Sequence, residues 1–437
     1  MSDRIDRRSL IAGSLAASLT AGPALAQARR RVSANDKLQV GLIGCKGMGW
    51  ADLSAMMKGG DVVPVALCDV DAGAMAERAA ELRKAGHNPR LYDDHRRLLD
   101  DRSVDAVIIA TPDHWHALQL VDAMSAGKDA YCEKPLGNSI AECRAMVAAK
   151  NRHSRVVQVG QWQRSGKHWA DAVAHVQSGK IGRVRKVKAW AYMGWMKRVT
   201  PRPDQPVPAG VNYDRWLGPA AARPFNPNRF HFSWRWYWDY AGGLMTDWGV
   251  HLIDIALMGM KAEAPRTVTS IGGPYGYPDS AMETPDTQSA IFDFGDHMLE
   301  WEHAVGISQG PYGGRDHGVA FIGELGTLVV DRGQWRVVPE YGDGKPLTPE
   351  VPVTKSSDDA LTRHAADFVA CVKDRSRTPA CPIEAAAQTA IVCQMGNIAF
   401  KTGRKVEWDA AAGRFRGDAA ADRLITPAYR APYRLPV

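Results

Sequence analysis

The stretch Leu38-Gln39-Val40-Gly41-Leu42-Ile43-Gly44-Cys45-Lys46-Gly47-Met48-Gly49 is an apolar run that ends in a glycine-rich turn. Its first half reads as a buried strand, since nearly every position is apolar and two of the residues are β-branched or flanked by such residues. The second half matches the turn that carries a dinucleotide into a strand–helix unit. There glycines supply the tight turn, the close approach to pyrophosphate and the helix–strand packing. Gly44 and Gly49 hold the first and third positions, and Lys46 stands where the middle glycine belongs. Gly47 is then the residue expected to allow close approach, with the Lys46 ammonium facing a phosphate. Asp69 ends the next apolar run, twenty positions after Gly49. A carboxylate there accepts hydrogen bonds from the ribose hydroxyls and repels a 2′-phosphate, which favours NAD over NADP. The alternative is that Asp69 only caps the following helix, and Lys46 keeps NADP open.

The pattern outward from this turn repeats. Apolar runs at 62–67, 105–110, 129–131 and 156–159 alternate with helical stretches near 49–58, 72–85, 115–126 and 139–151. Continuous apolar strands alternating with helices imply an α/β domain, a parallel sheet covered on both faces, over residues 37–160. Beyond it, residues 184–195 alternate as a half-exposed antiparallel strand does. A Pro-rich and aromatic-rich loop spans 201–240, and a helix carrying Asp247 and His251 follows. Strand candidates come at 267–271, 288–294, 297–303, 319–322, 326–330 and 335–338, and helices near 359–373 and 383–400. The expectation is an α+β domain over 161–402 on an open, mostly antiparallel sheet, used for substrate binding and oligomerisation. Its last helices are free to pack back on the first domain, and 403–437 is expected to be a loose tail.

The N-terminus differs from both domains. Arg7-Arg8, an apolar run from Leu10 to Leu25 and the small residues before Gln27 read as a twin-arginine export signal over residues 1–26, followed by a linker over 27–36. The run is too short and too rich in Ala and Gly to anchor in a bilayer. No later stretch is apolar for long enough to do so, and no membrane association is expected after cleavage. With 45% hydrophobic and 24% charged residues the remainder is an ordinary globular chain. The net charge of +7 is spread among acids apart from Arg29-Arg30-Arg31, so no nucleic-acid partner is expected. Seven cysteines without a CxxC pair nominate no disulfide and read as small buried hydrophobes.

Two further motifs carry chemistry. Tyr131-Cys132-Glu133-Lys134-Pro135 puts Lys134 at the carboxyl end of a strand, where ligands bind in open α/β sheets. Asp247 and His251 are four apart, which places them on one helix face. A lysine, an aspartate and a histidine converging there suit hydride transfer, in which one group takes the alcohol proton and another stabilises the alkoxide. Taken singly, each is more often a salt-linked helix face or a solvated loop charge. The glycine turn, Thr111-Pro112-Asp113-His114-Trp115-His116, Glu133-Lys134-Pro135 and Asp247-x-x-x-His251 together resemble the Gfo/Idh/MocA oxidoreductase family over most of residues 38–400. The segment Tyr213-Asp214-x-Trp216-Leu217-Gly218-Pro219 and the Trp-rich loop are similar to its exported bacterial members. The resemblance implies a nicotinamide enzyme acting on sugars, cyclitols or related polyols. In it Lys134 polarises or transfers a proton, His251 is the general acid/base, and Asp247 orients substrate. The cofactor set it implies is Gly44, Lys46, Gly47, Met48, Gly49 and Asp69 with Thr111, Pro112, His114, His116, Glu133 and Lys134. His114 and His116 are assigned to packing beside the nicotinamide; no metal is expected, because no third or fourth ligand accompanies them.

Fourteen tryptophans are many for this length, and Trp234-Arg235-Trp236-Tyr237-Trp238 is dense. Flat sugar faces stack on aromatic rings, so Trp234, Arg235, Trp236, Tyr237 and Tyr240 are assigned to a carbohydrate pocket, Arg235, Asp239 and Tyr240 as partners for hydroxyls, with Arg164, His168, Tyr192 and Trp195 as weaker candidates. Packing between domains is the competing use for any single ring. Export folded to the periplasm, away from free nucleotide, suggests a captive NAD(P), reduced by one carbohydrate and reoxidised in the same site. The alternatives are NAD-dependent glycoside hydrolysis by transient oxidation, and an inactive cofactor-stabilised binding protein. The open sheet face is the expected surface of a homo-oligomer, a dimer or tetramer.

Overall fold

The structure is a computed structural model that describes residue 33 and residues 36–435 of the 437. The expected export signal and the Arg29–Arg31 run lie outside the described residues.

Strands β1 (Leu38–Ile43), β2 (Val62–Cys68), β3 (Arg90–Tyr92), β4 (Ala106–Ile109), β5 (Asp129–Cys132) and β6 (Val157–Val159) form one sheet in the order β3-β2-β1-β4-β5-β6. Every pair in it is parallel. β4 and β5 are buried at all four positions, as strands with helices on both faces must be. β3 is the piece that periodicity does not announce: a three-residue edge strand with Arg90 and Leu91 exposed.

The second sheet has ten strands. It contains β7 (Val184–Met193), β8 (Thr267–Gly273), β9 (Thr287–Asp293), β10 (Met298–Val305), β11 (His317–Gly323), β12 (Gly326–Val330) and β13 (Gln334–Pro339). A small separate hairpin, β14 (Tyr341–Gly342) with β15 (Lys345–Pro346), precedes β16 (Val351–Lys355); β17 (Val406–Asp409) and β18 (Arg414–Phe415) complete the large sheet. The order is β16-β13-β12-β11-β7-β10-β9-β8-β17-β18, antiparallel except where β10 runs parallel to β7. Helices Lys167–Gln177, Gly249–Met260 and Ile383–Thr402 pack on one face. The other carries an ionic ladder, with Lys186 2.5 Å from Glu300 and Lys188 2.9 Å from Glu302. Tyr192 belongs to this ladder, donating its hydroxyl to Glu302.

The two sheets share one molecule rather than sitting side by side. Helix Ala360–Lys373, late in the chain, buries Ala365, Phe368, Val369 and Val372 among Leu38, Val40 and Leu53 of the first domain. Two expectations are corrected. The segment after 402 is not loose: β17 adds to the large sheet beside β8, and Tyr429 donates its hydroxyl to buried Glu142 at 2.6 Å. Arg430 then grips Asp214 and the Gly218 carbonyl, and Tyr433 stands edge-on to Trp115. Asp247 and His251 also do not share one continuous helix. Gly243–Asp247 and Gly249–Met260 meet at Trp248, and the His251 amide bonds to the Trp248 carbonyl three residues back. The Asp247 carbonyl, which a regular helix would offer to His251, accepts the Lys134 ammonium instead.

Candidate active site

The carboxyl edge of the parallel sheet opens into a cleft of about 390 Å³. Its floor is the turn after β1. Gly44, at φ +91, lies against Ala110: a Cβ there would stand 2.6 Å from the Ala110 carbonyl oxygen. A Cβ on Gly49 would stand 2.2 Å from the Gly44 carbonyl oxygen, so only glycine lets the helix start this close to the strand. At Gly47, φ +46, a Cβ would meet nothing within 4 Å, which leaves open space over the helix N-terminus where phosphates bind. Asp69 steadies the turn by accepting the Cys45 amide at 2.7 Å and the Asp71 amide at 3.0 Å. Burial pushes its carboxyl up, and those two amides oppose the shift. Asp69, Asp71 and Asp93 line this end of the cleft together with Lys46, Arg215 and His231.

A strap from the second domain crosses the same end. The Ala72 amide donates to the Gly210 carbonyl, the Asn212 amide to the Val70 carbonyl, and Arg215 to the Asp93 carbonyl. Trp216, Phe230, Phe232, Trp234 and Arg235 continue this wall towards the inner end.

Thr111, Pro112, Asp113, Glu133, Lys134 and Asp247 line the inner end. Lys134 Nζ lies 2.6 Å from Asp247 Oδ1, and Arg235 Nη1 lies 2.7 Å from Asp247 Oδ2. Burial alone would raise the Asp247 carboxyl, but the charges of Arg235 and Lys134 outweigh it and hold the group well below the usual carboxylate range. His251 is buried against the indoles of Trp162 and Trp248, with no partner for Nδ1. Burial first, then the charges of Lys134 and Arg332, hold its imidazole well below the usual value, so it is neutral at pH 7. Glu133 is buried, and burial pushes it up to about 7 against the opposing Lys134 charge.

Lys134, Asp247, Trp234, Arg235, Glu133, Thr111, Pro112, Asp69, Gly44, Lys46, Gly47 and Met48 all line the cleft, whereas Gly49 packs beneath it. His251 adjoins it without lining it. His114 and His116 lie beneath its inner end. His114 Nε2 is 3.0 Å from the Trp216 carbonyl oxygen, and His116 bridges the Thr111 and Pro135 carbonyls. Tyr240 is fully buried, edge-on to Trp216 and beside His114; Trp236 and Tyr237 are also buried. None of these three lines the cleft. Arg164 holds Asp254 through two 2.7 Å bonds, His168 sits 3.0 Å from the Asp331 carbonyl oxygen, and Tyr192 stays on the sheet ladder. Apolar bodies next to the domain junction drew the aromatic residues inward, and alternation on a sheet cannot tell which edge a tyrosine faces.

Sequence reading passed over Asp52 and Arg332. Asp52, on helix Gly47–Met57, is fully sealed with neither oxygen paired, and burial with the nearby Glu133 charge pushes it far up. An aspartate on a short, mostly apolar helix gives no signal. Arg332 sits in a turn whose sequence, Asp331-Arg332-Gly333, reads only as a loop. Among the described residues no group of three His, Cys, Asp or Glu is arranged to hold a metal, and no helix is long and apolar enough to cross a membrane. All seven cysteines are buried and unpaired.

Residues 38–161 match the family model described as the Gfo/Idh/MocA oxidoreductase family, NAD-binding Rossmann fold. Residues 149–283 and 347–435 match that family's C-terminal alpha/beta domain. Inositol 2-dehydrogenase 2 of Saccharopolyspora erythraea is 36% identical over 151 residues, 33% of this chain and 42% of that protein. Inositol 2-dehydrogenase of Salmonella typhimurium is 33% identical over 150 residues, 33% of this chain and 43% of that protein. These matches span less than half the length of the relatives. Among solved structures, an aldose–aldose oxidoreductase from Caulobacter crescentus, complexed with glycerol, superposes with a TM-score of 0.64 at 19% identity, covering 85% of this chain and 100% of that one. A levoglucosan dehydrogenase complexed with NADH and levoglucosan gives 0.64 at 20% identity, covering 85% and 99%. At such identities the likeness is one of fold.

Proposed function

The chain belongs to the Gfo/Idh/MocA oxidoreductase family, and from that premise we propose that it oxidises and reduces a sugar, glycoside or polyol with a tightly held NAD. The observation that carries this reading is the Lys134–Asp247 pair at 2.6 Å, at the inner end of a cleft whose outer end is built for a dinucleotide. The names of the relatives, inositol dehydrogenases among them, agree with a polyol substrate.

The residues fit the cofactor. Gly44 and Gly49 permit the close turn, Gly47 leaves room above the helix N-terminus, and Asp69, just after β2, stands where a carboxylate accepts the ribose hydroxyls and favours NAD over NADP. Bound there, NAD supplies the hydride acceptor. Lys134 spends two of its three ammonium donors on the carboxylate and carbonyl of Asp247 and keeps one for a substrate oxygen. That donor orients the hydroxyl and stabilises the alkoxide as the C–H bond breaks. His251, neutral and adjacent, takes the hydroxyl proton. Asp247, held ionised, keeps the Lys134 side chain in place.

The strap at 210–215 is tied to residues 70, 72 and 93 at the ribose end of the cleft. This supports a cofactor kept through both half-reactions, one carbohydrate being oxidised and a second reduced in the same site. Export to the periplasm through the Arg7-Arg8 segment, and a homo-oligomer joined through the ionic face of the large sheet, belong to the same proposal. The test is to denature purified protein and measure the released small molecules by absorbance and mass. Stoichiometric NAD(H) supports the reading, and an empty protein that needs added NAD for turnover removes the captive-cofactor part of it.

A further inference from the structure

Arg332 is the cation that the hydride-transfer site leaves unexplained. Its guanidinium carbon lies 4.7 Å from the centre of the Trp162 ring and 4.3 Å from that of Trp248. Those two indoles are also the edge-on neighbours of His251, at 6.1 and 6.2 Å. The guanidinium therefore stands one ring away from the proposed proton acceptor. No carboxylate among the described residues forms an ion pair with it. The carboxylate of its own turn, Asp331, is held by Arg315 and by the Gly333 and Gln334 amides, and Asp247 is held by Lys134 and Arg235. Arg332 Nε is sealed with no hydrogen-bond partner.

The turn that presents Arg332 is fixed at several points: the two amides on Asp331, His168 against the Asp331 carbonyl, and Ser356 on the Gly333 carbonyl. Holding a guanidinium out of water without a counter-ion is costly, and stacking on indoles returns only part of that cost. Burial pushes its pKa down to about 10, against the distant charges of Asp247 and Asp316. Trp162, Trp248 and Arg332 are each partly exposed, just beyond the residues that line the cleft. Lys134 and Arg235 already share the Asp247 carboxylate and His251 is neutral, so neither group serves Arg332 as a counter-ion.

We propose that Arg332 forms an anion subsite beside His251, and that the substrate is an acidic carbohydrate whose carboxylate pairs with this guanidinium. The planar fork of arginine matches a carboxylate through two parallel hydrogen bonds, and the flanking indoles offer faces for the sugar ring. The inference rests on the sugar-oxidoreductase reading and narrows its substrate to uronates or aldonates.

The experiment titrates the full-length protein, as isolated, with D-glucuronate and with D-glucose at matched ionic strength. Tryptophan fluorescence, in which Trp162 and Trp248 are two of fourteen indoles, reports binding, and absorbance at 340 nm reports the nicotinamide. Glucuronate should bind at least about tenfold more tightly than glucose, the size expected of one charge-assisted pair. Arg332→Met, which keeps the volume between the indoles, should abolish that preference. Should this variant melt early, Arg332→Lys serves in its place: it keeps the charge, loses the fork and should retain a reduced preference. Equal responses to the two sugars, no response to glucuronate, a preference that survives in Arg332→Met, or wild-type binding by Arg332→Lys each overturn the proposal. A fluorescence response specific to glucuronate with no change at 340 nm upholds the subsite and counts against the redox reading. Reduction by neutral sugars alone does the opposite.

Discussion

The chemistry concentrates on one carboxylate shared by two cations. Asp247 is a hub: it fixes Lys134 through both its side chain and its carbonyl, and it fixes Arg235 through its second oxygen. Removing the Lys134 ammonium while keeping its length isolates the catalytic step. Lys134→Met should lower turnover by about 10²–10⁴ while NAD remains bound, because the turn and ribose contacts are untouched. Turnover within a few-fold of wild type would rule out Lys134 as the group acting on substrate oxygen. His251 makes a second prediction. Its imidazole is held well below the ordinary value, chiefly by burial and then by Lys134 and Arg332, so the basic form persists through the range in which a free histidine protonates. The kcat/KM for sugar oxidation should stay flat from pH 8 down to 6. In Arg332→Met, with one repelling charge gone, the acid limb should move up in pH. A profile that breaks near 6.5 in the wild-type protein would place the proton acceptor elsewhere.

At the scale of elements, the first domain was legible because its constraints are local. The Gly44–Gly49 turn, the run to Asp69 and the placement of Lys134 after β5 all follow from strand–helix alternation, which tertiary contacts reinforce rather than override. The second domain was legible as a kind and not as a site. Alternation identifies β7 and β10 but not that they pair in parallel, and it does not say that Tyr192 faces the ionic ladder. The break at Trp248 was hidden because a regular i to i+4 spacing spans it; it exists because Lys134, 113 residues away in sequence, takes the Asp247 carbonyl. The tail looked unstructured because Ala, Arg and Pro carry no periodicity, yet its polar ends dock one by one on Glu142 and Asp214. The glycine turn separates fold from cofactor cleanly enough to test. Gly49→Ala forces a Cβ to within 2.2 Å of a carbonyl oxygen and must push the helix off β1, costing about 1–3 kcal/mol of stability as well as NAD. Gly47→Ala meets no atom; it costs about 1 kcal/mol for its left-handed backbone, and its methyl intrudes on the open space above the helix N-terminus. Melting curves with measured NAD content should therefore show both properties falling in the first variant and mainly NAD in the second. Equal NAD retention in Gly47→Ala would move the phosphates away from this turn.

Across the whole molecule, the buried ionisable groups set a direction for acid stability. His114 lies under the cleft, His303 in the large sheet, and His364 on the helix that ties the second domain to the first. Burial holds each of them down to about 4, and His251 is also held low. In the unfolded chain these imidazoles protonate near the ordinary 6.5, so below that pH the unfolded state binds protons that the folded state refuses. Their contribution to stability is present above pH 6.5 and is lost as the pH falls towards 4. Glu133 and Glu142, raised to about 7 by burial, act in the opposite sense. They favour the fold below about 4.5, and that gain disappears as the pH rises through 7. Asp52 and Asp113, pushed up by burial as well, act with the glutamates, so between pH 7.5 and 4.5 the acids offset the histidines; below that range the offset ends and protonation of Asp247 adds to the loss. Melting temperature measured by calorimetry should therefore change little from pH 7.5 to 4.5 and fall on acidification below about 4. Because the three histidines sit in different layers, the two sheets should melt together at every pH rather than separate into two transitions. A melting temperature that rises steadily from pH 7.5 to 4.5 would mean that the imidazoles protonate in place and leave the acids unopposed, and with them the neutral state assigned to His251 would fail.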